Sequence, residues 1–234
     1  MTPEPLDVLI VAPHPDDAEL GMAGTMLSMV QEGRRVGILD LTSGEPTPLG
    51  SKARRKQETE AATRELGIAW RGNLGLPNRS LEATLENRRA LAEQFRILRP
   101  KVIFAPYWED AHPDHLAATE MVEAAKFWAK LGKSDMAGTP FHPARILYYF
   151  SVHLRIVERP SVVIDISGFV DRKRKSLEAY ASQLVENQPP GEPGVIDRVI
   201  ERNRYWGIMA GVGHAEPFAS REPVGLKSLR DFIP

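Results

Sequence analysis

Short apolar runs alternate with longer stretches of helical spacing through the first half of the chain. Leu6–Ala12 is a continuous apolar run rich in β-branched residues, which is typical of a buried parallel strand. Ala18–Glu32 follows with apolar residues spaced as on one helix face, and Gly33 is placed to end that helix. The same order of strand and then helix is predicted three more times, at 35–42 and 52–66, 69–74 and 83–98, and 101–106 and 113–130.

This alternation predicts a Rossmann-like α/β fold, in which helices cover both faces of a mostly parallel sheet. In such a sheet, ligands bind beyond the carboxyl ends of the strands, where loops and helix N-termini converge. After residue 140 the pattern predicts strands at 145–152 and 161–166 and helices at 168–186 and 195–210.

The breaker-rich loop 188–194 resembles a domain linker, but only about 40 residues follow it, fewer than usually fold alone. We therefore expect a single domain over residues 1–234. Its C-terminal extension is expected to pack near the active site, at the ligand-binding edge of the sheet.

The composition excludes several kinds of site. The chain has no cysteine, which excludes disulfides, thiol nucleophiles and cysteine-held metals, so any bound metal needs His, Asp or Glu ligands. The formal net charge of −1 argues against a nucleic-acid partner. No signal peptide and no apolar run of about 18 residues is visible, so we expect a cytoplasmic protein without a membrane partner.

The first predicted strand runs into Pro13-His14-Pro15-Asp16-Asp17 rather than into a glycine-rich turn. Two adjacent carboxylates would repel a pyrophosphate, which disfavours a nucleotide-binding redox enzyme. His14 and Asp17 lie three residues apart on a tight turn and could face one metal ion, leaving Asp16 unligated beside it. The alternative is that Asp16 or Asp17 simply caps the next helix.

A second His-Pro-Asp element, His112-Pro113-Asp114-His115, follows the fourth predicted strand. The spacing of His112 and His115 places them on one side of a first helical turn. Such a pair alone is more often incidental than metal-binding. However, the predicted topology brings three of the six histidines, in two loops, to the same sheet edge. This joint occurrence favours a metal site there.

Two histidines and one carboxylate with an open position suit catalytic zinc, which lowers the pKa of a bound water to near 7 and polarises a carbonyl. Asp16 could take the proton of that water. His112, oriented by Asp114, could stabilise the oxyanion or protonate the leaving group. These parts describe metal-assisted hydrolysis of an amide or ester. Two-metal phosphoester hydrolysis stays open but usually needs more carboxylates, and Fe²⁺ or Co²⁺ could occupy the same ligands.

Together with Glu19 and Gly21, the two His-Pro-Asp motifs resemble those of the PIG-L/LmbE-like zinc-dependent N-deacetylase superfamily. The resemblance covers nearly the whole chain and includes Thr42-Ser43-Gly44-Glu45 and Arg55-x-x-Glu58-x-x-x-Ala62-x-x-x-Leu66-Gly67. The segments 73–77 (NLGLP) and 213–218 (GHAEPF) are similar to the branch that makes bacillithiol, whose members deacetylate N-acetylglucosaminyl malate.

The resemblance implies a role for each matching residue. It implies that zinc is held by His14, Asp17 and His115, with Asp16 as general base and His112 as the polarising or acid residue. The substrate contacts that it implies are Arg55, His214 and Glu216, although Glu216 could instead be a surface glutamate. Relatives often carry tyrosine where this chain has His214, and Arg55 lies in a basic cluster that could instead be a solvated helix face. The resemblance also implies a homo-oligomer, either a dimer or a hexamer.

The expected function is removal of the N-acetyl group from a glucosamine derivative, with N-acetylglucosaminyl malate as the leading small-molecule substrate. One alternative substrate is a chitooligosaccharide or an inositol-linked sugar. A non-catalytic metal- or sugar-binding module is the alternative of another class, and the unligated Asp16 argues against it. His142 and His153 lack partners at informative spacing and are predicted to be structural or surface residues, whereas Trp108 could wall the pocket.

Overall fold

The computed structural model describes residues 4–150, 153, 159–186, 188 and 191–225. Within these residues, seven strands form one sheet in the order β3-β2-β1-β4-β5-β7-β6. The strands are β1 (Val8–Ala12), β2 (Val36–Thr42), β3 (Trp70–Leu76), β4 (Val102–Pro106), β5 (Arg145–Tyr149), β6 (Val162–Asp165) and β7 (Ala215–Ala219). The five strands from β3 to β5 are parallel, whereas β7 is antiparallel to both of its neighbours. The predicted α/β class and mostly parallel sheet are confirmed.

Alternate residues of the central strands face two different layers of helices. Leu9 and Val11 of β1 belong to the core under one layer, whereas Ile10 and Ala12 belong to the core under the other. Both sides of the strand are buried because side chains alternate across a sheet that is covered on both faces. The helices are α1 (Asp17–Gln31), α2 (Lys52–Leu66), α3 (Leu85–Leu98), α4 (Pro113–Ala129), α5 (Val170–Glu178) and α6 (Val195–Ala210). None of the helices that the structure describes could span a bilayer.

The structure departs from the predicted elements after residue 140. The helix predicted over 168–186 is divided into a short turn, α5 and a π-helical turn over Ala181–Val185. Tyr180 lies between the last two with ψ 56, outside helical values, because its ring is buried and its hydroxyl reaches Glu19. Strand β7 was not predicted, and part of the strand predicted over 145–152 lies outside the described residues.

Candidate metal centre and catalytic cleft

The loop between β1 and α1 is a tight turn around Asp16. The backbone of Asp16 has φ 118, in the region that favours glycine, which reverses the chain so that α1 begins at Asp17. The turn is held because the amide of His14 donates to Asp17 Oδ2 at 3.0 Å. The side chain of Asp16 makes no capping hydrogen bond with the helix. Helix capping is therefore not what the Asp16 carboxylate does.

Three side chains from two loops meet at the carboxyl edge of the sheet, as the two motifs predict. Asp17 Oδ2 lies 3.0 Å from His14 Nδ1 and 3.3 Å from His115 Nε2. The ligand atoms of His14, Asp17 and His115 all lie within 4.8 Å of one another, which is close enough for one metal ion.

The burial and the hydrogen bonding of this cluster suit a metal-binding site. His115 is fully buried, and its Nε2 atom makes no well-formed hydrogen bond: its contact with the cluster is the 3.3 Å ion pair with Asp17 Oδ2. A buried polar atom without a well-formed hydrogen bond is costly unless a ligand satisfies it. Two imidazoles and one carboxylate are the donor set of a catalytic metal site that keeps a position open.

Each metal-facing imidazole is held at its other ring nitrogen by a carboxylate. Asp110 Oδ2 lies 2.8 Å from His115 Nδ1, and Asp114 Oδ2 lies 3.1 Å from His14 Nε2. Such carboxylates fix the orientation of metal-binding histidines and raise their basicity. Asp110 was missed by the sequence analysis. Its position five residues before His115 is the only sequence signal, and this signal is weak.

Asp114 does not orient His112 in the way that was expected. Its carboxylate contacts His14, and its backbone amide is what donates to His112 Nδ1 at 3.2 Å. Because Nδ1 accepts this bond, Nε2 of the neutral ring carries the proton. Burial lowers the pKa of His112, so the neutral ring is favoured. His112 lines the cleft and can donate into it.

The charged states of His115 and Asp17 stabilise each other. Burial alone would lower the pKa of His115, but the charge of Asp17 and the hydrogen bond with Asp110 outweigh it and raise this pKa to about 10. Burial would raise the pKa of Asp17, yet the two histidines hold it well below its usual value. A metal ion would therefore replace a proton on His115, and its binding should release that proton.

Asp16 has the electrostatics of a general base that works near neutral pH. Burial, as the largest cause, raises its pKa to about 7, while the charge of Arg55 opposes this rise and that of Asp17 adds to it. Asp16 Oδ2 accepts a hydrogen bond from Arg55 Nη1 at 3.1 Å. A base is most effective when its pKa lies near the working pH. Asp16 lines the cleft beside the metal ligands.

Arg55 is not part of a solvated helix face. It is buried, and its Nη1 donates to the carbonyl of Pro15 at 2.6 Å as well as to Asp16. Its Nε lies 3.3 Å from Glu45 Oε1. These contacts tie α2 to the loop that carries the general base. Arg55 also lines the cleft, and its contact with substrate stays a prediction.

Glu216 does not reach the cleft, contrary to the prediction. Its side chain is fully buried, and its carboxylate pairs with Lys173 and accepts hydrogen bonds from the amides of Gly24 and Thr25. It therefore has no surface to offer a substrate. His214 is half-buried, its amide donates to Ser167, and it is not among the described residues that line the cleft. A role for His214 stays a prediction.

A further histidine, which the sequence analysis assigned to the surface or to structure, lines the cleft. The ring centroid of His153 lies 5.0 Å from that of His115 and 5.4 Å from that of His112. No motif surrounds His153, so its place could not be read from spacing. Trp108 is also placed differently from the prediction: it packs edge-on against Tyr148 and does not belong to the described cleft lining.

The cleft has a volume of about 320 Å³, large enough for a sugar-sized ligand. Part of its wall comes from Gln183, Leu184 and Val195, and Val195, at the start of the C-terminal extension, brings that extension to the site, as expected. Apart from Leu20, Arg55 and His153, the remaining lining residues are polar or small and come from the turns that follow β1, β2, β3 and β4: His14, Asp16, Asp17, Gly44, Pro46, Thr47, Asn78, Arg79 and His112.

A family model and the named relatives of this chain agree on one family. The sequence model described as "PIG-L: GlcNAc-PI de-N-acetylase" matches residues 9–126, which include both His-Pro-Asp motifs. The chain is 30% identical over 221 residues to the probable N-acetyl-alpha-D-glucosaminyl L-malate deacetylase 2 of Bacillus anthracis, covering 85% of this chain and 93% of that protein. It is 28% identical over 224 residues to the diacetylchitobiose deacetylase of Thermococcus kodakarensis, covering 89% and 80% respectively.

A solved structure matches this chain over almost its whole length. The conserved protein TT1542 from Thermus thermophilus superposes with a TM-score of 0.86 and is 43% identical. The match covers 94% of this chain and 97% of that one. The similarity therefore includes the later strands and helices that lie outside the region of the family match.

Proposed function

Because the chain belongs to the PIG-L family of de-N-acetylases, we propose that it uses zinc to deacetylate N-acetylglucosaminyl malate. Membership of this family makes it an N-deacetylase of N-acetylglucosamine-containing substrates. The observation that supports a metal ion is the cluster of His14, Asp17 and His115, in which the buried Nε2 of His115 lacks a hydrogen bond, beside Asp16. Asp16 is what separates this proposal from a metal-binding module, because binding alone needs no base.

The reaction consumes one water molecule and converts the amide into acetate and a free amine. When bound, zinc supplies Lewis acidity, which polarises a carbonyl and lowers the pKa of a water molecule. Asp16 accepts a proton from the attacking water and returns it to the nitrogen as the carbon–nitrogen bond breaks. His112 donates from Nε2 toward the acetyl oxygen, where negative charge develops during the attack. Asp110 and Asp114 hold the imidazoles of His115 and His14 in place.

We place the malate conjugate first among three candidate substrates. The similarity to the Bacillus anthracis protein supports the malate conjugate, whereas the similarity to the Thermococcus protein supports a chitooligosaccharide. An inositol-linked sugar is the third candidate, and a further relative, from Rhodococcus opacus, carries that name at 25% identity. All three share the N-acetylglucosamine unit, so the same catalytic residues would serve each of them.

The experiment is an assay of free amine with purified protein and each of the three substrates. We expect turnover of N-acetylglucosaminyl malate, its loss after the metal is chelated, and its return when zinc is added. Parallel reloading with Fe²⁺ or Co²⁺ tests the metal. If only diacetylchitobiose gave product, the proposal of N-acetylglucosaminyl malate as the substrate would be wrong. No amine from any substrate, with one zinc bound per chain, would contradict the deacetylase proposal itself.

The single domain over 1–234, the dimer or hexamer and the cytoplasmic location stay predictions. Light scattering of the purified protein tests the oligomeric state. A dimer or hexamer is expected, and a monomer at all concentrations would contradict it.

A further inference from the structure

Of the two arginines among the described residues that line the cleft, Arg79 is the one whose charge is not balanced by a neighbouring carboxylate. Arg55 is neutralised by Asp16 and Glu45. Arg79 also lines the cleft, but its described side-chain bond goes to the carbonyl of Pro46, at 2.6 Å. Among the residues that the structure describes, Arg79 forms no ion pair. Its guanidinium is therefore available to an anionic ligand in the cleft, and it can bind a carboxylate through two parallel hydrogen bonds.

The backbone of Arg79 is fixed relative to the metal cluster. Its φ of 65 lies in the left-handed region. Its amide donates to Asp114 Oδ2 at 2.8 Å, and the same oxygen lies 3.1 Å from His14 Nε2. The amide of Leu81 donates to the other oxygen of Asp114 at 3.2 Å. One carboxylate thus joins the turn that carries Arg79 to a metal-facing imidazole. A group bound at Arg79 would be held at a defined position relative to the reacting amide.

The residue before Arg79 offers an acceptor to the same ligand. Asn78 lines the cleft, and its Oδ1 atom is buried without a hydrogen-bond partner. A buried carbonyl oxygen left unpaired is costly, and a ligand hydroxyl would remove that cost. The cleft lining also supplies a polar pair, since Gln183 Nε2 donates to Thr47 Oγ1 at 2.9 Å. The cleft therefore combines polar groups suited to sugar hydroxyls with one unbalanced positive charge.

A second cavity beside the cleft is richer in cations but is a poorer anion site. It has a volume of about 650 Å³ and lies along α2 and β3. Its two most enclosed cations, Arg55 and Arg71, are already neutralised by carboxylates. The remaining cations, such as Lys52 and Arg64, are exposed to solvent, as Arg79 is, but the lining of this cavity includes neither His14 nor Asp17, so an anion bound there would lie away from the metal-facing residues. This cavity supplies the matched control for the test below.

We propose that Arg79 is a specificity-determining residue that binds a carboxylate on the group attached to N-acetylglucosamine, while Asn78 accepts a hydroxyl of the sugar. The proposal rests on the proposed deacetylase function and deepens it, since it selects an anionic conjugate over a neutral chitooligosaccharide. Arg79 contributes to binding the part of the substrate that does not react. Its effect should therefore depend on the charge of the substrate, and that of Asn78 should not.

The test compares kcat and KM for N-acetylglucosaminyl malate and for neutral diacetylchitobiose. Arg79→Gln is expected to lower kcat/KM for the malate conjugate by about 10- to 100-fold, mainly through KM, because a hydrogen-bonded charge pair is lost. For the same variant, kcat/KM for diacetylchitobiose should change less than about threefold. Arg79→Asn, which tolerates a positive φ, should behave like Arg79→Gln, and Arg79→Lys should recover part of the loss. Asn78→Ala should affect both substrates equally, and Arg64→Gln neither.

Equal losses with both substrates in the Arg79 variants would overturn the proposal, because they would mean that Arg79 acts by positioning Asp114. An unchanged kcat/KM for the malate conjugate would overturn it as well. Calorimetric binding of N-acetylglucosaminyl malate to zinc-loaded Asp16→Asn protein separates this proposal from the function. Binding that depends on Arg79, without turnover by the wild-type protein, would support the anion site and reject the deacetylase. Binding that is unaffected by Arg79→Gln would reject the anion site.

Discussion

Helix α1 contacts two buried clusters of charged residues, one at its N-terminus and one at its middle. The first cluster contains the metal-facing residues His14, Asp17 and His115. The second is the ion pair between Lys173 of α5 and Glu216 of β7, which we call the α1 clamp. Both clusters are buried, and both join distant parts of the chain. They differ in whether every polar atom has a partner within the protein.

The α1 clamp satisfies the backbone of a broken helix. Met22 has φ −153, which interrupts α1. The carbonyl of Leu20 and the amide of Gly24 would bond to each other in a regular helix. Here Lys173 donates to Leu20 at 3.1 Å and Glu216 accepts from Gly24 at 3.0 Å, while Lys173 and Glu216 pair at 2.6 Å. The described polar atoms of this cluster therefore leave none for a ligand.

The metal-facing cluster is incomplete by comparison. His115 Nε2 is buried without a hydrogen-bond partner, and the neighbouring Asp16 has both a strained backbone and a pKa raised to about 7. Features of this kind lower stability, and they persist where a ligand or a reaction uses them. Burial and charge alone therefore do not identify a functional site. The distinguishing signs are the buried His115 Nε2 atom, which lacks a hydrogen bond, and the left-handed backbone of Asp16.

The largest effect that separates the two clusters is expected from Asp16→Asn. Removing the general base should lower kcat about 10³-fold, which corresponds to about 4 kcal/mol of activation free energy. Zinc should remain bound, because Asp16 is not one of the three ligands. Asn also tolerates the positive φ at this position. Steady-state kinetics and metal analysis of the same preparation check both parts, and loss of zinc would show that base and ligand have been interchanged.

The same variant should not destabilise the metal-free protein at pH 8. The pKa of Asp16 is raised from 3.8 to about 7, so the native state holds this proton more tightly than the unfolded state. The contribution of Asp16 to stability therefore falls as the pH rises from about 4 to about 7. Asn removes this penalty. Urea unfolding of chelated protein at pH 5 and pH 8 tests it, and a lower free energy of unfolding for the variant at pH 8 would contradict it.

The sequence identified the metal-facing cluster because its residues come in two similar motifs, each directly after a strand. Parallel strands place such loops at one edge, so local pattern was enough to predict that the two motifs meet, whereas the choice of His14, Asp17 and His115 as ligands came from the family resemblance. Glu216 could not be placed in the same way. Its position depends on β7 lying between β5 and β6, where it pairs with Ile164. That pairing joins residues far apart in sequence, and the short segment AEPFA carries no strand periodicity.

Asp110 and His153 were missed for related reasons. Asp110 acts on His115 across five residues of an irregular loop, where no regular spacing applies. His153 reaches the cleft from beyond β5, and only the packed structure brings its ring near His115. Local pattern predicts the groups that a strand end positions directly. It does not predict groups that depend on loop conformation or on packing between distant segments.

The second largest effect is expected from Lys173→Met in the α1 clamp. This change leaves the Glu216 carboxylate buried without its counter-ion, and breaking a buried pair in this way costs about 3–5 kcal/mol. We expect that loss in the free energy of unfolding, measured with urea. Lys173→Met combined with Glu216→Gln should recover part of it, because no charge is then left unpaired. A cost below about 1 kcal/mol for the single variant would be the value of an exposed pair and would contradict the role of the clamp.

A smaller effect is expected from Asp110→Asn at the metal-facing cluster. The change weakens the carboxylate contact with His115 Nδ1 and should raise the Kd for zinc about 10- to 100-fold. Competition with a chelator of known affinity measures this. Asp135→Asn is the matched control, since Asp135 pairs with Arg89 at the surface and should leave zinc affinity unchanged. An unaltered Kd for Asp110→Asn would mean that zinc affinity does not depend on the charge of Asp110 beside His115.

The smallest effect is expected from Arg55→Gln, read as a displacement of the pH profile. The charge of Arg55 lowers the pKa of Asp16, so its removal should raise that pKa further. A general base must be deprotonated to act. The acid limb of kcat/KM should therefore move to higher pH, and the ratio of activity at pH 6 to activity at pH 8 should fall severalfold.

Arg55→Lys keeps the charge and should keep the acid limb near its wild-type position. Its kcat can still decrease, because Lys cannot reproduce the bonds to both Pro15 and Asp16. A uniform loss of activity at every pH, with the limb unmoved, would instead assign Arg55 to the substrate, as the family resemblance implies. The result decides whether the charge of Arg55 acts on the base or on the sugar.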